Sequence, residues 1–154
     1  MLSCDVEIGD FNILLGRSLD VLEHGTEQAV EHAAVEGAEA ARHAGRYQDR
    51  TGQLRSGIVA HFISSNGRSV TWEILSPAKY SVFVENPTKA HIIRARNGGF
   101  LAFPGSGGEM VFAREVHHPG TPGFPFMGPG YQQAERTLYR ELDIVMRHIE
   151  RLWD

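Results

Sequence analysis

A run of prolines and glycines in the last third of the chain, "HHPGTPGFPFMGPGYQQAERTL", constrains the fold more than any other stretch. Pro119, Pro122, Pro125 and Pro129 fix φ and remove backbone donors, while Gly120, Gly123, Gly128 and Gly130 admit dihedrals that other residues avoid. Neither a regular helix nor a central strand can pass through it. Phe124, Phe126 and Met127 are nonetheless apolar, so residues 117–130 read as a shaped strap packed against something and not as a disordered linker.

On either side of the strap the hydrophobic period changes. After it, Ala134, Leu138, Leu142, Val145, Ile149 and Leu152 recur at helical spacing and predict an amphipathic helix over 131–152. Pro129 suits its first turn, and Asp143 and Arg147 form an acid-before-base i, i+4 pair. Far upstream, Leu19, Leu22, Thr26, Ala29, Ala33, Gly37, Ala40 and Ala44 predict a helix over 18–46, preceded by an arm at 1–17. The second half of that stripe is nearly all small, which lets another backbone approach closely. Between the helices, 57–116 reads as β. Val70, Trp72 and Ile74 share a strand face, and Asn66-Gly67 supplies a φ > 0 pair for a tight hairpin. Tyr80 to Glu85 reads as a strand with Tyr80, Val82 and Val84 on one side. His91 to Arg96, Phe100 to Phe103 and Met110 to Val116 follow as further β segments separated by glycine-rich tips.

With 154 residues, 42% hydrophobic and 22% charged, the chain suits one domain with a modest core. No apolar run approaches a membrane span, and the acids of "MLSCDVEIGDF" are unlike a secretory signal, so synthesis in the cytosol is expected. Cys4 is the single cysteine, which excludes an intrachain disulfide or a thiolate zinc cluster. Charge is uneven: residues 1–50 hold ten acids and four arginines, a balance of −6, and residues 51–127 hold four acids and seven cations, a balance of +3. This asymmetry suits contacts between neighbours or steering, and is too small for tight nucleic-acid binding. Glu23, Glu27 and Glu31 repeat at i, i+4, where like charges oppose an isolated helix. They read either as a solvated face or as a surface turned to a charged partner or a DNA passage.

Catalytic signatures are sparse. His61, His91, His117 and His118, with Glu85 and Glu115, are the residues from which a zinc site would be built. The adjacent His117 and His118 point to opposite faces of an extended chain, and no His-Glu-x-x-His motif is present. A small metal-dependent hydrolase using His91 and His117 or His118 is thus a distant reading, and the expected sites are neither catalytic, cofactor-binding nor metal-binding. "PGSGGE" lacks the Lys-Ser/Thr of a phosphate loop.

Taken in order, "TGQLRSGI", "YSVFVENPTKAH", "GGFLAFPG" and "MVFAREVHHPGTPGFPFMGPGYQQA" resemble the neck or tail-completion proteins of long-tailed bacteriophages, the head–tail connector family also described as phage morphogenesis or tail-component proteins. The likeness covers roughly Arg50 to Leu138. Its strongest parts are Tyr80, Val84 and Glu85, and His118, Pro119, Gly120, Thr121, Pro125 and Phe126. The chain departs from the family pattern at Asn86-Pro87 and at the inserted glycines of "GPGYQQA", both in loops. The resemblance implies an α+β fold: a small antiparallel β-sheet packed against a long N-terminal helix and a C-terminal amphipathic helix, with protruding β-hairpin loops. It implies a non-enzymatic virion protein without cofactor, six- or twelve-fold in a ring of identical subunits at the neck. Its partners would be an adjacent head-completion or connector ring, a tail terminator or tail-tube protein, and passing double-stranded DNA read without sequence recognition, with no membrane. A tail terminator or minor tail protein is the neighbouring alternative.

Within that reading, Phe100, Leu101 and Phe103 mark the loop 97–109 as a contact between subunits or rings, because five glycines in thirteen residues make it costly to order alone. The alternative is a hairpin folded back on its own sheet. Phe124 and Phe126 are the side chains expected to pin the strap. Where either is buried, truncation to alanine is expected to lower stability by about 3–5 kcal/mol in urea denaturation.

Overall fold

The computed structural model describes residues 8–154. Cys4 and residues 1–7 of the expected arm lie outside the described residues. The chain divides into two compact units: residues up to Ser81 together with Pro125–Asp154, and Val82–Phe124. The fold is α+β, with a long N-terminal helix, a C-terminal helix and small antiparallel sheets.

In the first unit, α1 (Ile8–His43) packs along α4 (Met127–Trp153). The helices run antiparallel: Phe11 and Ser18 meet Trp153 at one end, and Ala41 meets Gly130 at the other. Their approach is set by small side chains. A methyl placed on Gly37 would lie 2.8 Å from Ala134 Cβ and 2.9 Å from the Gly130 carbonyl oxygen, and one on Gly25 would lie 2.7 Å from Val145 Cγ2. Gly130 is equally confined, 2.8 Å from both Ala41 Cβ and the Gly37 carbonyl.

This seam corrects two expectations for α1. The helix begins at Ile8, so the described part of the expected arm is helical, and it ends at His43. The buried face runs through Ser18, Ala29, Ala33, Ala34, Gly37, Ala38 and Ala41, while Leu19 and Leu22 are exposed. Ala29, Ala33 and Gly37 of the expected stripe are thus buried, whereas Leu19 and Leu22, in the same stripe nearer the N-terminus, line an open groove beside residues 65–70.

Two arginines fix the end of α1. Arg55, on α2 (Gln53–Gly57), donates through Nη1 to the Arg42 and Ala44 carbonyls and through Nη2 to the Gly45 carbonyl at 3.2 Å. A guanidinium here satisfies carbonyls that the helix leaves unpaired and opposes the negative end of its dipole. In return Arg42 Nε donates to the Ile58 carbonyl at 2.8 Å. Arg55 also lies over the Tyr47 ring, 4.5 Å from its centroid. Beside this joint sits the apolar plug of the unit: Leu54 and Ile58 are buried, and Phe126, 1% exposed, packs on Tyr47 with the rings tilted by 58° and their centroids 5.5 Å apart.

From that joint, β1 (Val59–Ser65) and β2 (Val70–Leu75) form an antiparallel hairpin on α1, with a bulge between Phe62 and Ser64. Val70, Trp72 and Ile74 share the inward face, as their alternation predicts. The turn differs from expectation. Only Gly67 has positive φ, and residues 66–69 form the loop. Asn66 closes it with both backbone and side chain: its N–H donates to the Ser69 carbonyl at 3.2 Å, and Oδ1 accepts from Arg68 N at 3.1 Å and Ser69 N at 2.9 Å. At the other terminus, α4 starts at Met127, four residues before the expected 131, and holds Pro129 in its first turn. Asp143 and Arg147 pair at 2.6 Å as their spacing predicts.

The second unit carries most of α3 (Ser81–Glu85) and two further two-stranded sheets. The strand expected over Tyr80–Glu85 is a helical turn. Asn86 donates to the Val82 carbonyl twice, through its backbone N and through Nδ2, both at 3.1 Å. Local closure of this kind competes with strand pairing, and Pro87 ends the turn at once. β3 (His91–Arg94) pairs with β6 (Glu115–His118), and β4 (Leu101–Pro104) with β5 (Met110–Ala113).

The seam makes two glycines of one helix respond oppositely to the same substitution. Gly37→Ala is expected to destabilise by about 1–3 kcal/mol through overpacking. Gly16→Ala, with nothing within 4 Å of the added methyl, is expected to stabilise by about 0.5–1 kcal/mol through helix propensity. Urea denaturation followed by far-ultraviolet circular dichroism measures both.

Candidate functional site

The two strongest parts of the sequence pattern meet in the second unit. Phe124 N donates to the Val84 carbonyl at 2.8 Å, and Thr88 and Thr121 exchange backbone hydrogen bonds of 2.9 and 3.2 Å with their hydroxyls 2.8 Å apart. Gly120 has φ +90° and receives support from His118, whose Nδ1 accepts its N–H at 3.1 Å. A side chain on Gly123 would lie 2.7 Å from Pro87 N. The first half of the strap therefore lies against residues 84–90 and continues the β3–β6 pairing past His118 through the isolated Thr88–Thr121 bridge. Val84, His118, Gly120 and Thr121 come together in this way. Tyr80 is exposed in the connection before α3, and Pro125 and Phe126 belong to the first unit.

Phe100, Leu101 and Phe103 fall at and in β4, so the segment 97–109 contains a paired strand followed by a tight tip in which Gly105 N donates to the Glu109 carbonyl at 2.7 Å. Its composition is unusual for a two-stranded sheet. Leu101, Ala102, Phe103 and Pro104 face Ala113, Phe112, Val111 and Met110, with no polar side chain in either strand. Leu101, Phe103, Val111 and Ala113 share the half-buried face; Ala102, Pro104, Met110 and Phe112 share the exposed one. Phe112 is 67% exposed, and Phe100 61%. Met110 and Phe112 fall in the expected β segment Met110 to Val116, outside the loop 97–109 taken as the contact, although the unbroken apolar pattern on both strands joins them to it.

The acidic row on α1 is divided. Glu27 accepts a hydrogen bond from the Ser65 hydroxyl at the end of β1, and the Glu23 carboxylate lies beside Gly67 in the hairpin loop. Together with Leu19, Leu22, Arg68 and Val70 they line a groove of about 510 Å³. Glu31 is left to solvent.

The histidines are spread over strands and helices. His91 and His118 are cross-strand partners with ring centroids 5.0 Å apart, whereas His117 turns to the other face and meets Glu115 at 3.2 Å. Arg94 donates to the other Glu115 oxygen at 2.9 Å, and that bond first, then desolvation against it and the Arg94 charge, leaves the Glu115 carboxyl below its ordinary pKa. His61 lies on β1, 3.4 Å from Glu73. Among the described residues, no three His, Cys, Asp or Glu side chains are grouped to hold a metal ion.

A polar cluster crosses the α1–α4 seam. Buried Thr137 donates to Glu36 Oε2 at 2.8 Å and Gln133 Nε2 donates to the same oxygen at 3.2 Å, while His32 bridges to Glu141 at 3.0 Å. The Thr137 hydroxyl, then Gln133, hold the Glu36 carboxyl below its usual value of 4.5. A lowered folded-state pKa contributes stability above the unfolded value, and that contribution disappears as pH falls through the folded one. Thr137→Val keeps the shape and removes the donor. It is expected to cost about 1 kcal/mol near neutrality, since Glu36 is partly solvated, and to shrink the stability lost on acidification below about 4.5. Urea titrations of both proteins across that pH range check the sign.

Among the described residues, no helix is long and apolar enough to cross a membrane. Comparison of the chain with protein-family models, with curated proteins and with solved structures gives no match.

Proposed function

We propose that this chain is a non-enzymatic subunit of a ring at the head–tail junction of a long-tailed bacteriophage. The observation that carries the reading is the distribution of large apolar side chains. Among the described residues the fully buried large side chains are few, with Phe126, Leu54 and Ile58 foremost, while Phe11, Phe62, Phe83, Phe100, Phe112 and Tyr139 are all exposed. Such a surface suits a protein whose working state buries much of it against neighbours.

The sequence resemblance supplies the particular assembly. The ring would contact a head-completion or connector ring on one side and a tail terminator or tail-tube protein on the other. DNA would pass without sequence-specific contacts. Glu31, the solvent-facing member of the acidic row, would then face the channel or a basic patch of the adjacent subunit, with Glu23 and Glu27 turned toward the β1–β2 loop. A carboxylate lining a channel repels phosphate and lets DNA slide.

Electron cryo-microscopy of the parent particle tests the proposal. The expected result is density for this chain in a closed ring around the DNA channel between head and tail. Density capping the tail tube away from the head would assign it as a tail terminator, and density on the capsid shell or at a fibre tip would overturn the structural reading of the neck.

A further inference from the structure

The hairpin β4–β5 leaves an apolar face open at Ala102, Pro104, Met110 and Phe112. Two-stranded sheets are marginal in water even with one solvated polar face, so a hairpin with no polar side chain in its strands calls for an apolar surface to lie on. Its charges are placed at its ends. Arg114 follows β5, with its guanidinium 5.4 Å from the centroid of the exposed Phe100 ring, and Arg96 precedes β4. Neither arginine has a carboxylate within 4.0 Å among the described residues, unlike Arg94, which is held by Glu115. At the tip the Glu109 carboxylate folds against Gly105 and Gly107.

The first unit carries a surface of complementary character. Val30, Ala33, Ala34, Trp72, Tyr131 and Leu138 line a shallow groove of about 330 Å³ between α1, β2 and α4. The charged residues in its lining are both acidic: Glu73 and Glu135. Glu73 lies 3.4 Å from His61, and Glu135 has no cationic partner within 4.0 Å among the described residues. The groove beside Leu19 and Leu22 is a poorer receptor, because Arg68 lines it and offsets one of its two carboxylates, and Glu27 already accepts from Ser65. The bias extends beyond these side chains. Val82–Phe124 holds three acids and four cations, a balance of +1, and the rest of the chain holds sixteen acids and eleven cations, a balance of −5.

We propose that the occupant of this groove is the β4–β5 hairpin of a second copy of the chain, with Phe112 and Met110 seated among Trp72, Tyr131 and Leu138 and with Arg114 beside Glu135. Opposite charge on the two units steers one copy's hairpin to the next copy's groove and disfavours hairpin-to-hairpin or groove-to-groove encounters. A contact that joins two different surfaces of the same chain is head-to-tail and closes into a ring when its rotation permits. The inference rests on the ring reading only in requiring that copies touch. Self-association in solution decides it, whereas position in the particle decides the head–tail assignment.

Sedimentation velocity of the full chain over a concentration series, up to its solubility limit, is the experiment. Wild type is expected to self-associate reversibly. Arg114→Glu and Glu135→Arg should each weaken association by about tenfold or more, since each sets like charges opposite one another. Phe112→Ser should weaken it by a similar factor through lost apolar burial. Circular dichroism of these exposed-site variants should match wild type. The decisive arm mixes the two charge variants. Each is poor at binding itself, but the Arg114→Glu hairpin fits the Glu135→Arg groove and the unchanged hairpin fits the unchanged groove, so the mixture should regain wild-type association. The double variant should regain it alone. A wild type that stays monomeric at every concentration, swaps that leave association unchanged, or a mixture that stays dissociated would each overturn the proposal. Loss of capture by phage heads with self-association unaltered would also overturn it, by giving the hairpin to another protein.

Discussion

The near-contact of α1 and α4 is the constraint from which the rest of the first unit follows. Helices whose facing residues are glycine, alanine and serine come close enough for backbone to meet side chain across the seam, as Gly37 and Gly130 do. Such residues bury little apolar area each, so the seam gains its stability from dense packing and from what is attached along it. One end carries Trp153, which meets Phe11 edge to face and donates to Ser18; the middle carries Thr137 and Gln133 on Glu36; the other end carries the Phe126 plug. The plug immediately precedes α4. Where the strap must end is therefore decided by where Gly130 must sit, and the four prolines limit the alternatives open to the chain before that point.

The reciprocal arginines extend the same frame to the β1–β2 hairpin. Arg55 closes the end of α1 while Arg42 holds the Ile58 carbonyl just before β1 begins. Each guanidinium uses a carbonyl left over by the other's element, so the joint between helix and hairpin is made of charge-assisted bonds with fixed directions. Lysine would supply the charge but not the fork that spans several carbonyls. This is the role the structure gives to "RTGQLRSGI", and nothing in hydrophobic periodicity points to it.

What the sequence made legible follows the length scale of each signal. Long periodic segments declared both helices, and strict alternation declared β2. The period of α1 picks out Ala29, Ala33 and Gly37, which are buried, but it does not separate them from Leu19 and Leu22, which lie in phase with them and line the open groove beside the β1–β2 loop. Tyr80 to Glu85 alternates like a strand, yet the segment is short enough for two bonds from Asn86 to the Val82 carbonyl to decide it as a helical turn. The Asn66 turn went the same way, its side chain replacing the second positive φ. For the candidate site, the sequence marks the aromatic residues of 97–109 but does not by itself place Phe112 and Met110 on one surface with them. Their membership depends on the β4–β5 register, a relation between residues that composition does not contain.

The second unit shows what a Pro/Gly strap does for a set of small sheets. Each of its sheets has two strands, so every strand has a free edge where another chain could pair. The strap lies along residues 84–90 and makes the Thr88–Thr121 bridge, yet Pro119 and Pro122 offer no N–H to an incoming strand. Glycines at 120 and 123 allow the close approach that this bridge requires, because a side chain at either would run into backbone. The result is a segment that can order its own neighbours while being a poor template for foreign ones.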